Sequence, residues 1–133
     1  MRNQFIQLLC TWAREDETIY LLTADLGFSV LEPFSQEFPK RFINVGIAEQ
    51  NMIGIAAGLS LRGKKVFVYS IVNFGTLRCL EQIRNDICYH NVFSGTVTLS
   101  VVACILMPAF ELFMVGNSSC NCYYLFKKSL LEF

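Results

Sequence analysis

Residues 41–61 read RFINVGIAEQNMIGIAAGLSL, and the rest of the chain is interpreted around this segment. It opens with a β-branched and aromatic run that predicts a strand over 42–45. Beyond Gly46 the apolar residues follow helical spacing and predict a largely buried helix. Those residues are Ile47, Met52, Ile53, Ala56, Ala57, Leu59 and Leu61. Glu49 falls in the first turn of that helix, where the positive end of the helix dipole favours a carboxylate.

Glu49 has two interpretations at this point. It can simply complement the helix start, with Gln50 and Asn51 completing a polar edge. A carboxylate among such apolar neighbours is costly to bury without a partner, which leaves a functional role open beside the structural one.

The residue sequence around Glu49 favours the functional interpretation. Residues 46–52, GIAEQNM, preceded by RFINV, closely resemble the GIAEQ segment in the pyrimidine-binding domain of transketolase-like, thiamine-diphosphate-dependent enzymes. The resemblance implies that Glu49 bonds N1′ of the cofactor's aminopyrimidine and favours the imino tautomer that takes the proton from the thiazolium C2. A charge-assisted hydrogen bond in a dry pocket suits that role, because it is strong. The cofactor carries the carbanion chemistry, and the protein positions and polarises it.

A second segment of interest follows the apolar run at 18–23, which predicts a buried parallel strand. Asp25 and Ser29 come just beyond it, where open parallel sheets bind ligands. A structural alternative is that Asp25 caps a turn before Gly27. The segment TADLGFS also resembles the family's ADL segment. This resemblance implies that Asp25 lies at the cofactor and subunit junction, and that Ser29 offers a hydroxyl to a sugar-phosphate substrate.

A third segment, 71–77, reads IVNFGTL and follows a predicted strand at 66–70. The family uses aromatic residues in this loop to stack on the aminopyrimidine. Phe74 is the best match, and Tyr69 is a weaker alternative. A stacked ring adds only about 1 kcal/mol beyond its buried area. Simple core packing of Phe74 remains open.

Short apolar runs alternate with helical patterns along the chain, which predicts an α/β fold with a predominantly parallel sheet and helices on both faces. The helix at 1–14 is expected to bury one apolar face. That face consists of Phe5, Leu8, Leu9 and Trp12. Residues 30–38 predict a short helix. Residues 78–89 predict another, which resembles the family's EQIRND helix and whose charges are expected at the surface or a subunit interface.

Several single residues have structural interpretations. Gly63 is expected to cap the central helix. Lys40 and Arg41 are expected to be solvated. His90 is the single histidine, which excludes a site that needs a histidine pair and favours a turn or surface role.

Composition excludes several classes of function. The 133 residues are 53% apolar, which suits the core of one ordinary domain. Formal net charge is zero and no basic run precedes Lys127, so neither nucleic acid nor an anionic membrane surface is indicated. The six cysteines include only one close pair, a CxC at 120–122, which favours reduced thiols over a zinc site. The N-terminus lacks a signal-peptide pattern, and a cytoplasmic protein is expected.

The resemblance covers residues 1–91, which are assigned as an incomplete pyrimidine-binding domain. Residues 92–133 are assigned as a divergent apolar tail, such as truncation or a frameshift produces. Between 92 and 126 Glu111 is the single charged residue. Residues 92–107 can supply one or two strands. A membrane span over 92–115 is disfavoured by Pro108, Glu111 and several hydroxyls.

No Gly-rich phosphate loop is present, and the resemblance explains why. In the family a separate diphosphate-binding subunit or domain holds the diphosphate and its Mg²⁺. The chain is therefore expected to work in a homo- or hetero-oligomer and to be silent alone. The implied reaction is two-carbon ketol transfer between sugar phosphates. The alternatives are a 1-deoxyxylulose-5-phosphate synthase-like fragment and a non-catalytic remnant that acts as an interaction module.

Overall fold

The computed structural model describes residues 2–90. The expectations for the tail at 92–133, including its strands and its disfavoured membrane span, lie outside these residues. In chain order the elements are α1 (Arg2–Glu15), β1 (Ile19–Thr23), α2 (Glu32–Glu37), β2 (Phe42–Asn44), α3 (Glu49–Leu61), β3 (Lys65–Tyr69), α4 (Val72–Gly75), a 3-10 turn (Leu77–Cys79), α5 (Leu80–Gln82) and a π-type helix (Ile83–Cys88). Within the described region no helix is both long and apolar enough to cross a bilayer.

The sheet is parallel and has three strands in the order β2-β1-β3. Leu21 of β1 lies opposite Phe42 of β2 and Phe67 of β3. The three strands begin and end within one residue of the predicted ranges. The predicted α/β fold with a parallel sheet is confirmed.

Helices cover both faces of the sheet, as predicted. Side chains of a strand alternate between its two faces, and here both sets are apolar and pack against helices. Leu21 packs into a core with α1 and α2, whereas its neighbour Leu22 packs into a second core with α3. The side chains of strand β3 alternate between the two cores in the same way. Phe67 joins the first core and Val68 the second.

The buried face of α1 matches the predicted one only in part, since Leu9 is buried and Phe5 packs against the core as expected. Ile6, Leu9, Cys10 and Ala13 are the buried core residues of this helix, while Trp12 is 41% exposed. Spacings of three and four residues place these smaller side chains on one stripe, and Trp12 lies beside the stripe. Its ring still meets Phe67, with 6.3 Å between the ring centroids.

Helix α3 also departs from expectation at its two ends. Ile47 lies before the helix and is 81% exposed, and Leu61 is 60% exposed in its last turn. The buried apolar side chains of this helix lie in its middle, at Met52, Ile53, Ala56 and Ala57. The predicted cap at Gly63 is confirmed, because its φ is +75° and its N–H donates to the Ser60 carbonyl at 2.9 Å.

At the amino edge of the sheet, Asp16 connects the starts of several strands. Its carboxylate accepts hydrogen bonds from the N–H and the hydroxyl of Thr18, at 2.8 and 2.6 Å. The same carboxylate forms an ion pair with Nζ of Lys65 at 2.8 Å. Its carbonyl accepts Nη1 of Arg41 at 3.0 Å. The Arg41 guanidinium also lies over the Phe38 ring, so the prediction that it is merely solvated is wrong.

The Asp16 contacts predict an acid-dependent loss of stability. The Lys65 ammonium holds the pKa of the Asp16 carboxyl well below its usual range, and the Thr18 hydrogen bonds act in the same direction. Since the folded pKa is depressed, the stabilisation is present above about pH 4, the unfolded value, and is lost as pH falls. Urea unfolding of Asp16→Asn should show lower stability than the parent chain at pH 7, and the difference should shrink steadily as pH falls below about 4. Glu15→Gln, at the exposed neighbouring residue, is the control, and its stability should equal that of the parent chain at both neutral and acid pH.

Candidate active site

The carboxyl edge of the sheet brings three connecting segments together. Parallel strands end at the same edge, so the segments that follow β1, β2 and β3 emerge there side by side. The predicted site residues Asp25, Ser29, Glu49 and Phe74 all lie on these segments. The topology therefore places every candidate at the edge where open parallel sheets bind ligands.

Glu49 is the first residue of α3, as the sequence predicted, and it is buried with 4% of its side chain exposed. Its Oε2 accepts Nη1 of Arg78 at 3.1 Å. Arg78 lies on the 3-10 turn after β3, and its side chain is 49% exposed. An ion pair and the helix dipole thus both support a carboxylate that would otherwise be costly to bury.

Phe74 is joined to the same pair. The Arg78 guanidinium lies over its ring, 4.1 Å from the centroid. Phe74 is half-buried and belongs to neither core, unlike Tyr69, which is 6% exposed and packs on the side of α1 and α2. Tyr69 therefore does not offer a ring face to a ligand. Arg78 brings Glu49 and Phe74 together into one cluster, which we call the Glu49 cluster.

The backbone at Arg78 is held from two sides. Nε2 of Gln50 donates to its carbonyl at 3.1 Å. The thiol of Cys79, the next residue, donates to the carbonyl of Phe74 at 3.1 Å. Burial raises the pKa of this thiol, and the Glu49 charge raises it further. The buried Cys79 side chain is therefore an uncharged thiol at physiological pH.

Asp25 forms a separate pair with Asn44 at the ends of β1 and β2. Its backbone N–H donates to Oδ1 of Asn44 at 3.0 Å, and Nδ2 of Asn44 donates to its carboxylate at 3.1 Å. The same Oδ1 accepts the N–H of Gly46 at 3.0 Å. Asp25 has a φ of 53°, a left-handed conformation that Asp tolerates better than most residues. This pairing ties the segment before α3 to the one after β1.

Ser29 lies on the turn that precedes α2. Its backbone has a φ of 62°, and its N–H donates to Oε1 of Glu32 at 2.6 Å. Ser29 is exposed, which leaves its hydroxyl at the protein surface. This hydrogen bond joins Ser29 to Glu32, which is not one of the residues that Arg78 brings together.

Sequence reasoning missed two residues that the structure joins to the candidate site, Arg78 and Asn44. The predicted helix at 78–89 is helical, but it begins as a 3-10 turn and widens into a π-type segment at Ile83–Cys88. Its charges were expected at the surface, whereas Arg78 turns towards Glu49. The four-residue spacing of Phe74 and Arg78 was the available signal, since such residues are neighbours on a helical surface. His90 is exposed, as predicted, and its Nδ1 lies 2.9 Å from the Asn85 carbonyl.

An open groove of about 440 Å³ lies at the opposite edge of the sheet. It is lined by Glu17, Thr18, Tyr20, Lys40, Arg41 and Lys64. Several of these residues come just before the strands, whereas the candidate residues follow them. The groove is therefore not part of the Glu49 cluster.

The Glu49 cluster offers two complementary features. One is a buried carboxylate that accepts a hydrogen bond, and the other is a half-buried aromatic ring that is joined to it through Arg78. Such a pair can receive a flat, nitrogen-containing aromatic ring, because the ring stacks on Phe74 while an N–H donates to Glu49.

Comparison with known proteins agrees with the sequence resemblance. The family described as "Transketolase, pyrimidine binding domain" matches residues 1–103. A 6-deoxy-6-sulfo-D-fructose transketolase subunit of Clostridium sp. is 41% identical over 90 residues, which are 67% of this chain and 28% of that protein. A putative transketolase C-terminal section of Methanocaldococcus jannaschii is 44% identical over 90 residues, again 67% and 28%.

Two further matches widen the comparison. A 1-deoxy-D-xylulose-5-phosphate synthase of Bacillus velezensis is 43% identical over 86 residues, which are 62% of this chain and 13% of that protein. A solved structure titled split gene transketolase, inactive beta4 tetramer, has a TM-score of 0.63 and 41% identity, and covers 71% of this chain and 31% of its own. The chain thus spans under a third of the length of these relatives.

Proposed function

The chain belongs to the transketolase pyrimidine-binding domain family, and from this premise we propose that residues 1–91 form the half-site for the aminopyrimidine of thiamine diphosphate. The enzyme so assembled transfers a two-carbon ketol unit between sugar phosphates. The observation that carries this proposal is the buried Glu49 carboxylate at the start of α3, with the Phe74 ring held next to it. A structural role alone does not require both groups to converge on one point.

The donor set fits one end of this cofactor. Glu49 provides an acceptor for a ring N–H, and Phe74 provides a stacking face of the size that an aminopyrimidine needs. Residues 2–90 hold no cluster of three or more His, Cys, Asp or Glu side chains suited to a metal ion. The described residues suit the ring end of the cofactor, and the proposal assigns the Mg²⁺ and the diphosphate to another domain or subunit.

Each residue has a defined part in this half-site. Glu49 holds a proton at N1′ of the ring, and its position at the helix start keeps its charge favourable. Phe74 fixes the plane of the ring, while Asp25 lies at the cofactor and subunit junction, where Asn44 orients it. Ser29 offers an exposed hydroxyl to the sugar phosphate. When bound, thiamine diphosphate supplies the electron sink for two-carbon transfer.

The partner in this proposal is a diphosphate-binding transketolase subunit or domain. Relatives whose names describe them as a subunit or a C-terminal section support a divided enzyme. The solved relative, titled an inactive β4 tetramer, supports the idea that such a chain is silent without its partner. We propose the tail at 92–133 as a region distinct from this domain, although the family match extends to residue 103.

A second candidate is the pyrimidine-binding part of a 1-deoxyxylulose-5-phosphate synthase. The match to such a synthase favours it, and both enzymes need Glu49. Product analysis of the assembled complex separates them. Condensation that starts from pyruvate supports the synthase, and ketol transfer between sugar phosphates supports the transketolase. A non-catalytic remnant predicts neither product.

Titration of thiamine diphosphate with Mg²⁺ tests the proposed half-site. We expect the chain alone to bind no tighter than about millimolar, because one hydrogen bond and one stacked ring contribute only about 2–4 kcal/mol against the entropic cost of association. Calorimetry of the chain with a diphosphate-binding subunit should show binding at least about 100-fold tighter.

The subunit alone and the chain carrying Glu49→Gln are the controls for this titration. The proposal requires that the parent complex bind the cofactor more tightly than the subunit alone does. Micromolar binding by the isolated chain would contradict the divided site. Equal binding by the subunit with and without the chain would contradict the half-site itself.

A further inference from the structure

We propose that the Arg78 guanidinium is an internal stand-in for the aminopyrimidine: it fills the ring's place in the free chain and turns outward before the ring enters. This inference rests on the function proposed above and adds a regulatory feature to the same site. Its basis is the position of one side chain between the two groups that the ring needs.

The first line of evidence is that Arg78 reproduces both contacts of the ring. Its planar guanidinium lies over Phe74, 4.1 Å from the centroid, as a stacked aromatic ring would. Its Nη1 donates to Oε2 of Glu49 at 3.1 Å, as a ring N–H would. A flat group with a donor at its edge is thus already present in the Glu49 cluster.

The second line of evidence is steric. A ring that stacks on Phe74 and also bonds Glu49 must lie between them, and the guanidinium lies there. Two planar groups cannot share that space, because protein interiors pack to crystal-like density. Arg78 and the ring therefore compete for the cluster.

The third line of evidence is that the side chain of Arg78 can leave while its backbone stays. Its side chain is 49% exposed, whereas that of Glu49 is 4% exposed. Gln50 donates a hydrogen bond to the Arg78 carbonyl, and the thiol of the next residue, Cys79, donates to the carbonyl of Phe74. A rotation of the arginine into water leaves its charge solvated, and the incoming ring replaces it as the donor to Glu49. The buried carboxylate thus keeps a partner in both states.

This competition reduces the apparent affinity for the cofactor. When the competent state is a fraction of the total, the apparent Kd rises by the reciprocal of that fraction. If Arg78 points outward in about a tenth of the free molecules, removal of the guanidinium should lower the apparent Kd for the cofactor about 10-fold. The association rate should rise by a similar factor, because the site no longer waits for the arginine to move.

The test is stopped-flow and calorimetric binding of thiamine diphosphate with Mg²⁺ to the full chain assembled with a diphosphate-binding subunit. Arg78→Met keeps the length of the side chain and removes the planar cation, and it should bind about 10-fold tighter. Arg78→Lys keeps the charge but loses the flat face, and it should bind about threefold tighter. Arg84→Met removes an exposed arginine of the neighbouring helical segment and should equal the parent.

The outcomes separate this inference from the proposed function. If the parent complex binds the cofactor no better than the subunit alone, the proposed function and the inference both fail. If the parent complex binds it and Arg78→Met binds equally or more weakly, the stand-in is overturned and the half-site remains. Should Arg78→Met not fold, as judged by circular dichroism, equal or weaker binding by Arg78→Lys overturns the inference instead.

Discussion

Replacing Glu49 by Gln should lower ketol transfer by the assembled complex by about 10²- to 10⁴-fold, the range that a positioned acid–base group contributes. The amide keeps the shape of the side chain and can still accept a hydrogen bond from Arg78. It cannot exchange a proton with the ring nitrogen. The loss should therefore appear in kcat, measured with saturating thiamine diphosphate and sugar phosphates.

The fold should survive this change, because the substituted side chain keeps an acceptor opposite Arg78. Circular dichroism and the unfolding midpoint are expected to stay close to those of the parent. Glu81→Gln, an exposed carboxylate on the segment after β3, should retain full activity. Retention of more than about a tenth of the parent rate by Glu49→Gln would remove Glu49 from the proposed chemistry.

The second large effect is expected at Gly27, where alanine should reduce the free energy of unfolding by about 2–4 kcal/mol. Gly27 has a φ of +89°, a region that strains any residue with a Cβ. A Cβ there would lie 2.6 Å from Cγ of Leu31 and 2.9 Å from Cε1 of Tyr69. Both neighbours are buried and have little room to move. Urea unfolding of the full chain measures the loss.

Two other glycines separate strain from crowding. Gly46 has a φ of +73° and open space where a methyl group would lie, so Gly46→Ala should cost only the backbone strain, about 1 kcal/mol. Gly58 lies in α3 with open space and an ordinary φ, and Gly58→Ala should stabilise the chain by about 0.5–1 kcal/mol. If Gly27→Ala costs no more than Gly46→Ala, the close packing against Leu31 and Tyr69 is not what restricts the position.

Local sequence was sufficient for the strands and for the start of α3. The β-branched runs around Ile19, Phe42 and Val66 predict a parallel sheet because each is short, apolar and separated from the next by a helical pattern. Glu49 could be placed in a first helical turn from the same alternation. These features depend on neighbours within a few residues, which a single sequence displays directly.

The remaining errors concern contacts that local patterns do not encode. Arg78 meets Glu49 across 29 positions of the chain, and no spacing within the segment around Arg78 reports that distance. The inward side of α1 was assigned to bulky residues such as Trp12, whereas the packed interface accepts the small Ala13. Helical spacing alone did not show which of these two neighbouring positions faces the sheet, because that depends on how α1 is rotated against its packing partners.

Strand β1 lies between the other two strands, and this position links folding to function. Among the described residues it is the strand that pairs on both of its sides, and Thr23 at its end lies opposite both Asn44 and Tyr69. The segments that carry Asp25, Glu49 and Phe74 are held in register through that one strand. The amides of β1 should consequently exchange with solvent only when the whole domain opens, and the half-site dissolves in the same cooperative event rather than by local fraying.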